Sequence, residues 1–319
     1  MDLSLFHEWL RTRYRPSTVP LYLRHVRGFM DWLQRRGLAL EQLTPESLME
    51  YKLTLDQRGV ERQRPYLYAI RSLLEYKGLR HIAEQVPIPS EHVVRQPTWL
   101  PEPLIHLLIE KMEFFPRLQA LAALSYDLAL RINEAIPMLR TPGVPNEPWV
   151  DLANLRAQVR REKTRRYPLQ ILPLSPWAAK YIQRYLDERD DDDPHLFVTK
   201  SEASRDWRGP PERPVRPLSF KTAEGDWNAT MKLFRLPFRF HFLKHSRLTN
   251  MALAGRPIAE MQDFVLHTNP TSTLVYIHAA SLYRTRPESI LEYFKHSWLL
   301  PEAEGVLRAS LSGRASTSP

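Results

Sequence analysis

The chain has 319 residues, 43% of them apolar, no cysteine, and a formal net charge of +9. The length points to two domains. The composition excludes disulfides, thiol nucleophiles and cysteine-type zinc sites, no stretch reaches the roughly 18 uncharged apolar residues of a membrane span, and the basic surplus favours a polyanionic partner, most often nucleic acid.

The opening "MDLSLFHEWLRTRYRP" has charged residues too early for a secretory signal, which with the lack of cysteine fits a cytoplasmic protein. Residues 17–37 read as a helix, with Ser17 as N-cap, Gly37 as stop, and Val19, Leu23, Val26, Met30 and Leu33 at helical spacing; Arg24 and Arg27 lie off that stripe. A second helix spans 44–59, with Thr44 as cap and Pro45 at the first helical position. A third spans 62–78 and turns Leu67, Ile70 and Leu74 inward. Residues 1–84 are thus a small helical bundle with arginines outside. The four prolines of 85–101 mark an extended linker.

Residues 102–300 form a second, mainly helical domain. "EPLIHLLIEKM" and "RLQALAALSYDLAL" are helical, and 149–174 is the one convincing β region, two apolar-alternating runs joined by a basic turn. A Pro- and Arg-rich loop covers 205–219, and 301–319 is expected to be a flexible tail. The four successive aspartates within 187–194 read as a solvated turn rather than a metal site. The fold class is mainly α with a small antiparallel sheet, and no internal repeat is present.

Four islands of this second domain hold reactive residue types. Arg131 and Glu134 are three apart and share a helix face; alone they would be a structural ion pair. Lys163 sits among Arg160, Arg161, Arg165 and Arg166 in a turn that alone would be a solvated hairpin tip. His241 and Lys244 share a helix face, followed by His245 and Arg247, for which packing and phosphate contact are equally good readings. Last, Tyr276 follows His267 by nine positions, with His278 and Tyr283 flanking; Tyr283 is the second candidate nucleophile.

In type and order these islands resemble the tyrosine recombinase (phage integrase) family, over roughly residues 12–290. The family has an Arg with an acidic residue three later, a hairpin Lys, a His-x-x-Arg helix, a Gly-His pair and a Tyr nine after that His. The resemblance implies a DNA-clamping first domain and a catalytic second one. It implies a site-specific recombinase that cleaves and rejoins double-stranded DNA through a 3′-phosphotyrosyl bond, without cofactor or metal, as four protomers on two duplexes. Arg131, Lys163, His241, Lys244, His267 and Tyr276 would be catalytic, with Glu134 orienting them. Arg24, Arg27, Arg160, Arg161, Arg165, Arg166 and Arg247 would meet DNA. The chain departs from the pattern at three places: Lys244 replaces the second Arg, Leu266 the Gly before His267, and "LALR" (128–131) the family's T-G-L-R. These departures also admit a catalytically impaired DNA-binding relative, and a topoisomerase-like nicking-closing enzyme shares the residue types.

Overall fold

The computed structural model describes residues 3–16, 18–89, 97–161, 169–200, 215–267 and 269–315. The chain divides into two compact units, 1–94 and 95–319.

The first unit is helical: α1 (Ser4–Arg13), α2 (Val19–Arg36), α3 (Pro45–Gln57), α4 (Arg64–Tyr76) and the single turn α5 (Arg80–Ala83). α1 was not legible in the sequence; it buries Phe6 and Leu10. Gly37 ends α2 at φ 65°, a left-handed conformation that costs glycine nothing. Ser17 lies outside the described residues. Thr44 and Ser47 cap α3 reciprocally, and Leu67, Ile70 and Leu74 of α4 are buried as their spacing requires.

The second unit contains α6 (Glu102–Glu110), α7 (Pro116–Asp127), the single turn α8 (Ile132–Ala135), α9 (Pro176–Asp187), α10 (Phe220–Phe234), α11 (Phe242–Leu253), α12 (Ile258–Val265), α13 (Thr271–Thr285) and α14 (Leu300–Ala315). α7 is its centre, because nearly every side chain from Leu118 to Asp127 is buried. Three antiparallel strands, β1 (Trp149–Asp151), β2 (Arg156–Arg160) and β3 (Leu169–Pro173), stand in sequential order, with Ala157 and Val159 of β2 buried. A two-stranded sheet of β4 (Val198–Lys200) and β5 (Val215–Pro217) accompanies them. Both units bury their own apolar clusters, and the architecture is mainly α with small antiparallel sheets.

Several expectations need correction. The 85–101 stretch is not linker throughout. Val86 is buried in the first unit, and Trp99 and Leu100 are buried in the second. Trp99 packs edge-on against Tyr283 at 5.1 Å, and the Leu100 amide donates to Ser246 Oγ on α11; large apolar side chains override the local proline signal. The β region has three strands rather than two runs, and β4–β5 adds a pairing the Pro-rich pattern hid. The supposed tail from 301 is helical through Ala315, with Ala303 and Leu307 buried and Glu302 paired to Lys111 of α6 at 2.7 Å; its apolar residues at four-residue spacing outweigh its small polar ones. Within the aspartate run, Asp191 pairs with Arg189, and Asp193 accepts from the His195 amide at 2.9 Å. Among the described residues no acidic, His or Cys cluster could hold a metal, and no helix is long and apolar enough to cross a membrane.

Two non-glycine residues with left-handed backbone position the site described below. Ala129, after α7, has φ 48°, and Leu266, after α12, has φ 52°. These are the places where the resembling family has glycine. The turns are therefore kept and the residues are strained, by about 1–2 kcal/mol each for an L-residue. We expect Leu266→Gly to be more stable than Leu266→Ala by about 1 kcal/mol, the reverse of the order at a right-handed helical position. Urea unfolding midpoints of the two variants measure this; an alanine variant equal to or above the glycine one would remove the strain argument.

Candidate active site

The site begins where α7 ends. The chain turns at Ala129, buries Leu130, and enters α8 with Arg131 as its first flanking residue. Glu134, in the first turn of α8, accepts from the Arg131 backbone amide at 2.9 Å and from Arg131 Nη1 at 2.7 Å. The Arg131–Glu134 spacing thus serves a helix start as well as an ion pair. Glu134 is completely buried.

Arg161 follows β2 and is buried too. Its guanidinium donates to the carbonyls of Leu128 (3.0 Å), Ala129 (3.2 Å) and Phe264 (2.8 Å), and lies 3.4 Å from Glu134 Oε2. Carbonyls at helix C-termini lack intrahelical donors. One planar fork therefore ties the ends of α7 and α12 to the Glu134 carboxylate. This corrects the expectation that Arg161 meets DNA: at 2% exposure with these bonds made, it fixes structure. Burial pulls its pKa down to about 10, against the opposing pull of Glu134.

Lys244 lies on α11 and is 1% exposed. Its charge acts on Glu134, as do those of Arg161 and Arg131. Burial alone would raise the Glu134 carboxyl, but the three cations and the Arg131 amide hold it below the usual carboxylate range. Three cations around one carboxylate leave the centre with an excess of positive charge, which suits an arriving anion.

Tyr276 lies on α13, 4% exposed, in a small apolar cluster with Ala129, Leu248, Met251, Met261 and Val265. Burial pushes its phenol up to about 12, partly opposed by Arg131. Its hydroxyl is hydrogen-bonded to His245 Nδ1 at 3.0 Å. Burial, then Lys244 and Arg131, push His245 down to about 4. His241, exposed at the start of α11, places its ring edge-on to that of His245 at 4.5 Å. His267 follows the Leu266 turn and is hydrogen-bonded through Nδ1 to Thr273 Oγ1, 3.1 Å away in the first turn of α13. Burial, Lys244, Arg131 and Arg161 take it to about 4, with Glu134 opposing.

The structure thus gathers Arg131, Glu134, Lys244, His267 and Tyr276 into one electrostatic neighbourhood, with His241 at its edge through its ring contact with His245. It adds His245, which the sequence left evenly balanced; its place four residues after His241, on the same helix face, was the available signal. Arg247 pairs with Glu102 at 3.5 Å and sits over the Tyr126 ring at 5.6 Å. Tyr283, buried against Trp99, belongs to the main core. Arg160 is exposed and leans on Glu147 at 3.5 Å. Arg24 and Arg27 are exposed on α2. Lys163, Arg165 and Arg166 lie outside the described residues.

The family model described as "Phage integrase family" matches residues 105–282. Among curated relatives, a tyrosine recombinase XerC of Chlamydia caviae is 21% identical over 300 residues, 83% of this chain and 89% of its own. A tyrosine recombinase XerA of Thermococcus onnurineus is 24% identical over 271 residues, 82% of this chain and 84% of its own. Among solved structures, a lambda integrase dimer bound to a COC′ core site superposes with a TM-score of 0.62 at 15% identity, covering 86% of this chain and 93% of that one. XerH recombinase bound to palindromic difH in a post-cleavage complex gives 0.57 at 17%, covering 86% and 80%. At such identities these two structures speak for a shared fold.

The histidines make acid stability testable. Above pH 6.5, the ordinary histidine value, neither the folded nor the unfolded chain protonates His245, and full stability is present. As pH falls below 6.5 the unfolded chain takes the proton and the folded one does not, until about 4. Stability should fall across that window by up to about 1.4 kcal/mol per pH unit for this residue. His267 acts with the same sign, weakened by its greater access to water. Urea midpoints between roughly pH 7 and 4.5 should show the slope, and His245→Asn should flatten it. An unchanged slope in that variant would show that His245 is not held neutral.

Proposed function

The chain belongs to the phage integrase family, and on that premise we propose that it is a site-specific DNA recombinase that breaks and rejoins strands through Tyr276. The observation that supports this most is the buried Tyr276 phenol, hydrogen-bonded to an imidazole and acted on by Arg131, one of the three cations that share the Glu134 carboxylate.

A phosphodiester resists attack because its oxygens are negative. Arg131 and Lys244 would stabilise the charge that builds on a five-coordinate phosphorus. In this reading the Tyr276 oxygen bonds to phosphorus, the bond to the 5′-oxygen breaks, and Lys163 protonates the departing oxygen. The 3′-phosphotyrosyl bond conserves the energy of the diester, so a 5′-hydroxyl reseals it without ATP. His267 and His241 would donate hydrogen bonds to phosphate oxygens. Glu134 and Arg161 would hold the cations in place. Lys244 departs from the family's arginine: it keeps the charge but offers no parallel pair of hydrogen bonds. Because Lys244 is buried, a form that binds DNA with reduced turnover is the second reading, and the adduct assay below separates the two.

In the solved structures XerH recombinase is bound to a difH substrate and lambda integrase to a core site, and double-stranded DNA is the partner we assign to this chain. Arg24 and Arg27 of the first unit, with Arg160, Arg165 and Arg166 of the second, would meet phosphates. The first unit would serve as a DNA-clamping domain, with the chain near 85–101 joining it to the catalytic one. Four protomers on two duplexes, in the cytoplasm, complete the proposal.

Tyr276→Phe removes the nucleophilic oxygen and keeps the ring. On a pool of nicked duplexes it should bind DNA as the unaltered protein does and form no covalent adduct on a denaturing gel. Adduct from the phenylalanine variant would place the nucleophile elsewhere. Contact with about 8 phosphates should give a log–log slope of affinity against salt near −7. A slope near zero would rule out a clamp built on phosphate contacts.

A further inference from the structure

The nucleophile assigned above needs somewhere to put its proton. The phenol hydrogen bond of Tyr276 runs to His245 Nδ1 at 3.0 Å, with ring centroids 5.7 Å apart. The other two histidines of the site are placed differently. His267 Nδ1 meets the Thr273 hydroxyl at 3.1 Å, and the His241 ring stands edge-on to His245. We propose that His245 is the catalytic base of strand cleavage: its Nδ1 takes the Tyr276 proton as the phenol oxygen bonds to phosphorus, and returns it to that oxygen when the strand is resealed. This assignment rests on the recombinase reading above and goes further than it, because it names the acceptor.

The transfers balance in both directions. In cleavage the O–H bond of Tyr276 breaks, its electron pair forms the bond to phosphorus, and His245 becomes an imidazolium. The electron pair of the broken diester leaves with the 5′-oxygen, which is protonated by a separate acid, the role given to Lys163. Resealing reverses each transfer. In the resting site the phenol O–H donates and Nδ1 accepts, so the imidazole proton sits on Nε2.

The surrounding charges make this base dependent on substrate. Among the described residues, the groups that act on His245 are His241 and Lys244 beside it in sequence, Arg131 from the start of α8 and Tyr276 from α13; Glu134, Arg161 and His267 are tied to the same two cations, Lys244 and Arg131. Burial, Lys244 and Arg131 hold His245 at about 4, and burial holds Tyr276 at about 12, so without DNA the phenol keeps its proton. A phosphodiester bound by Arg131 and Lys244 would neutralise the two charges that weaken His245. The imidazole becomes a better base as the electrophile arrives, which guards the free protein against an idle phenolate.

The test follows adduct formation on the nicked-duplex pool as a function of pH, with full-length protein. The unaltered protein should give a nearly level initial rate between roughly pH 7.5 and 9, where His245 stays neutral even after bound DNA has relieved it of the two cations. His245→Asn keeps a hydrogen-bond acceptor near the phenol but no base. Its rate near neutrality should fall about 100- to 1000-fold and then climb about tenfold per pH unit, following the phenolate fraction. A difluorinated tyrosine placed at Tyr276, which ionises at lower pH, should restore much of the loss in the His245→Asn background and do little in the native one. DNA affinity and the unfolding midpoint near pH 8 confirm that the variant is folded. Several results would overturn the assignment: His245→Asn cleaving at the native rate, a loss that neither high pH nor the fluorinated phenol restores, or the rising pH profile appearing in His241→Asn or His267→Asn instead. A native protein that binds DNA yet forms no adduct on any duplex would overturn the recombinase reading itself, and the assignment with it.

Discussion

The Glu134 carboxylate is the constraint on which the site is built. It is buried without access to water, so its charge survives only because Arg131, Arg161 and Lys244 act on it together. Each of these comes from a different part of the chain: the start of α8, the residue after β2, and the first turn of α11. A single carboxylate thereby fixes the helix whose start presents Arg131, the strand leading into the basic hairpin, and the helix with His241 and His245. Arg161 extends this anchorage to α12 through the Phe264 carbonyl, one residue before that helix ends. The turn to His267 and the helix bearing Tyr276 follow directly.

Much of this was legible from residue order. The Arg131–Glu134 interval, the His241–Lys244 interval and the nine residues from His267 to Tyr276 are local, and local spacing on a helix survives folding. The helix-capping signals at Thr44 and Gly37 survived for the same reason. What was not legible depended on contacts distant in sequence. Arg161 looked like one more arginine of a basic turn, because nothing nearby reveals that three carbonyls and a carboxylate wait for it some 30 and 100 residues away. Arg247 likewise could not be read beyond an even choice, because Glu102 and Tyr126, which lie beside it, are distant in sequence. His245 was ambiguous because its partner lies on another helix. The helix after Leu300 was missed because composition spoke for disorder, while Ala303 and Leu307 spoke for burial.

The departures from the family pattern are of two physical kinds. Ala129 and Leu266 change the residue but not the backbone: both adopt the left-handed conformation that a glycine would take without strain. The geometry that delivers Arg131 and His267 is thus conserved at an energetic cost, supported by the Arg161 bonds to Ala129 and to the neighbouring carbonyls. Lys244 is different, because it changes the donor and not the path of the chain. A point charge satisfies a buried carboxylate as well as a guanidinium does, but it grips a phosphate less specifically. The Arg161 guanidinium does not replace the lost fork, since its terminal nitrogens are occupied by carbonyls and Glu134.

An excess of buried positive charge is unfavourable while the site is empty. That cost appears in the two imidazoles, both held neutral well below the ordinary histidine range by burial and by the same two cations, Lys244 and Arg131. An anion entering the centre would relieve the repulsion among the cations and lift the basicity of the histidines together. A ligand that binds only the folded state stabilises it, by an amount that grows with the ligand's concentration relative to its dissociation constant. The same electrostatic surplus that makes the empty site costly is therefore what would make a phosphodiester its preferred guest, and the phenol needs no permanent activation because its activating partner is itself governed by that guest.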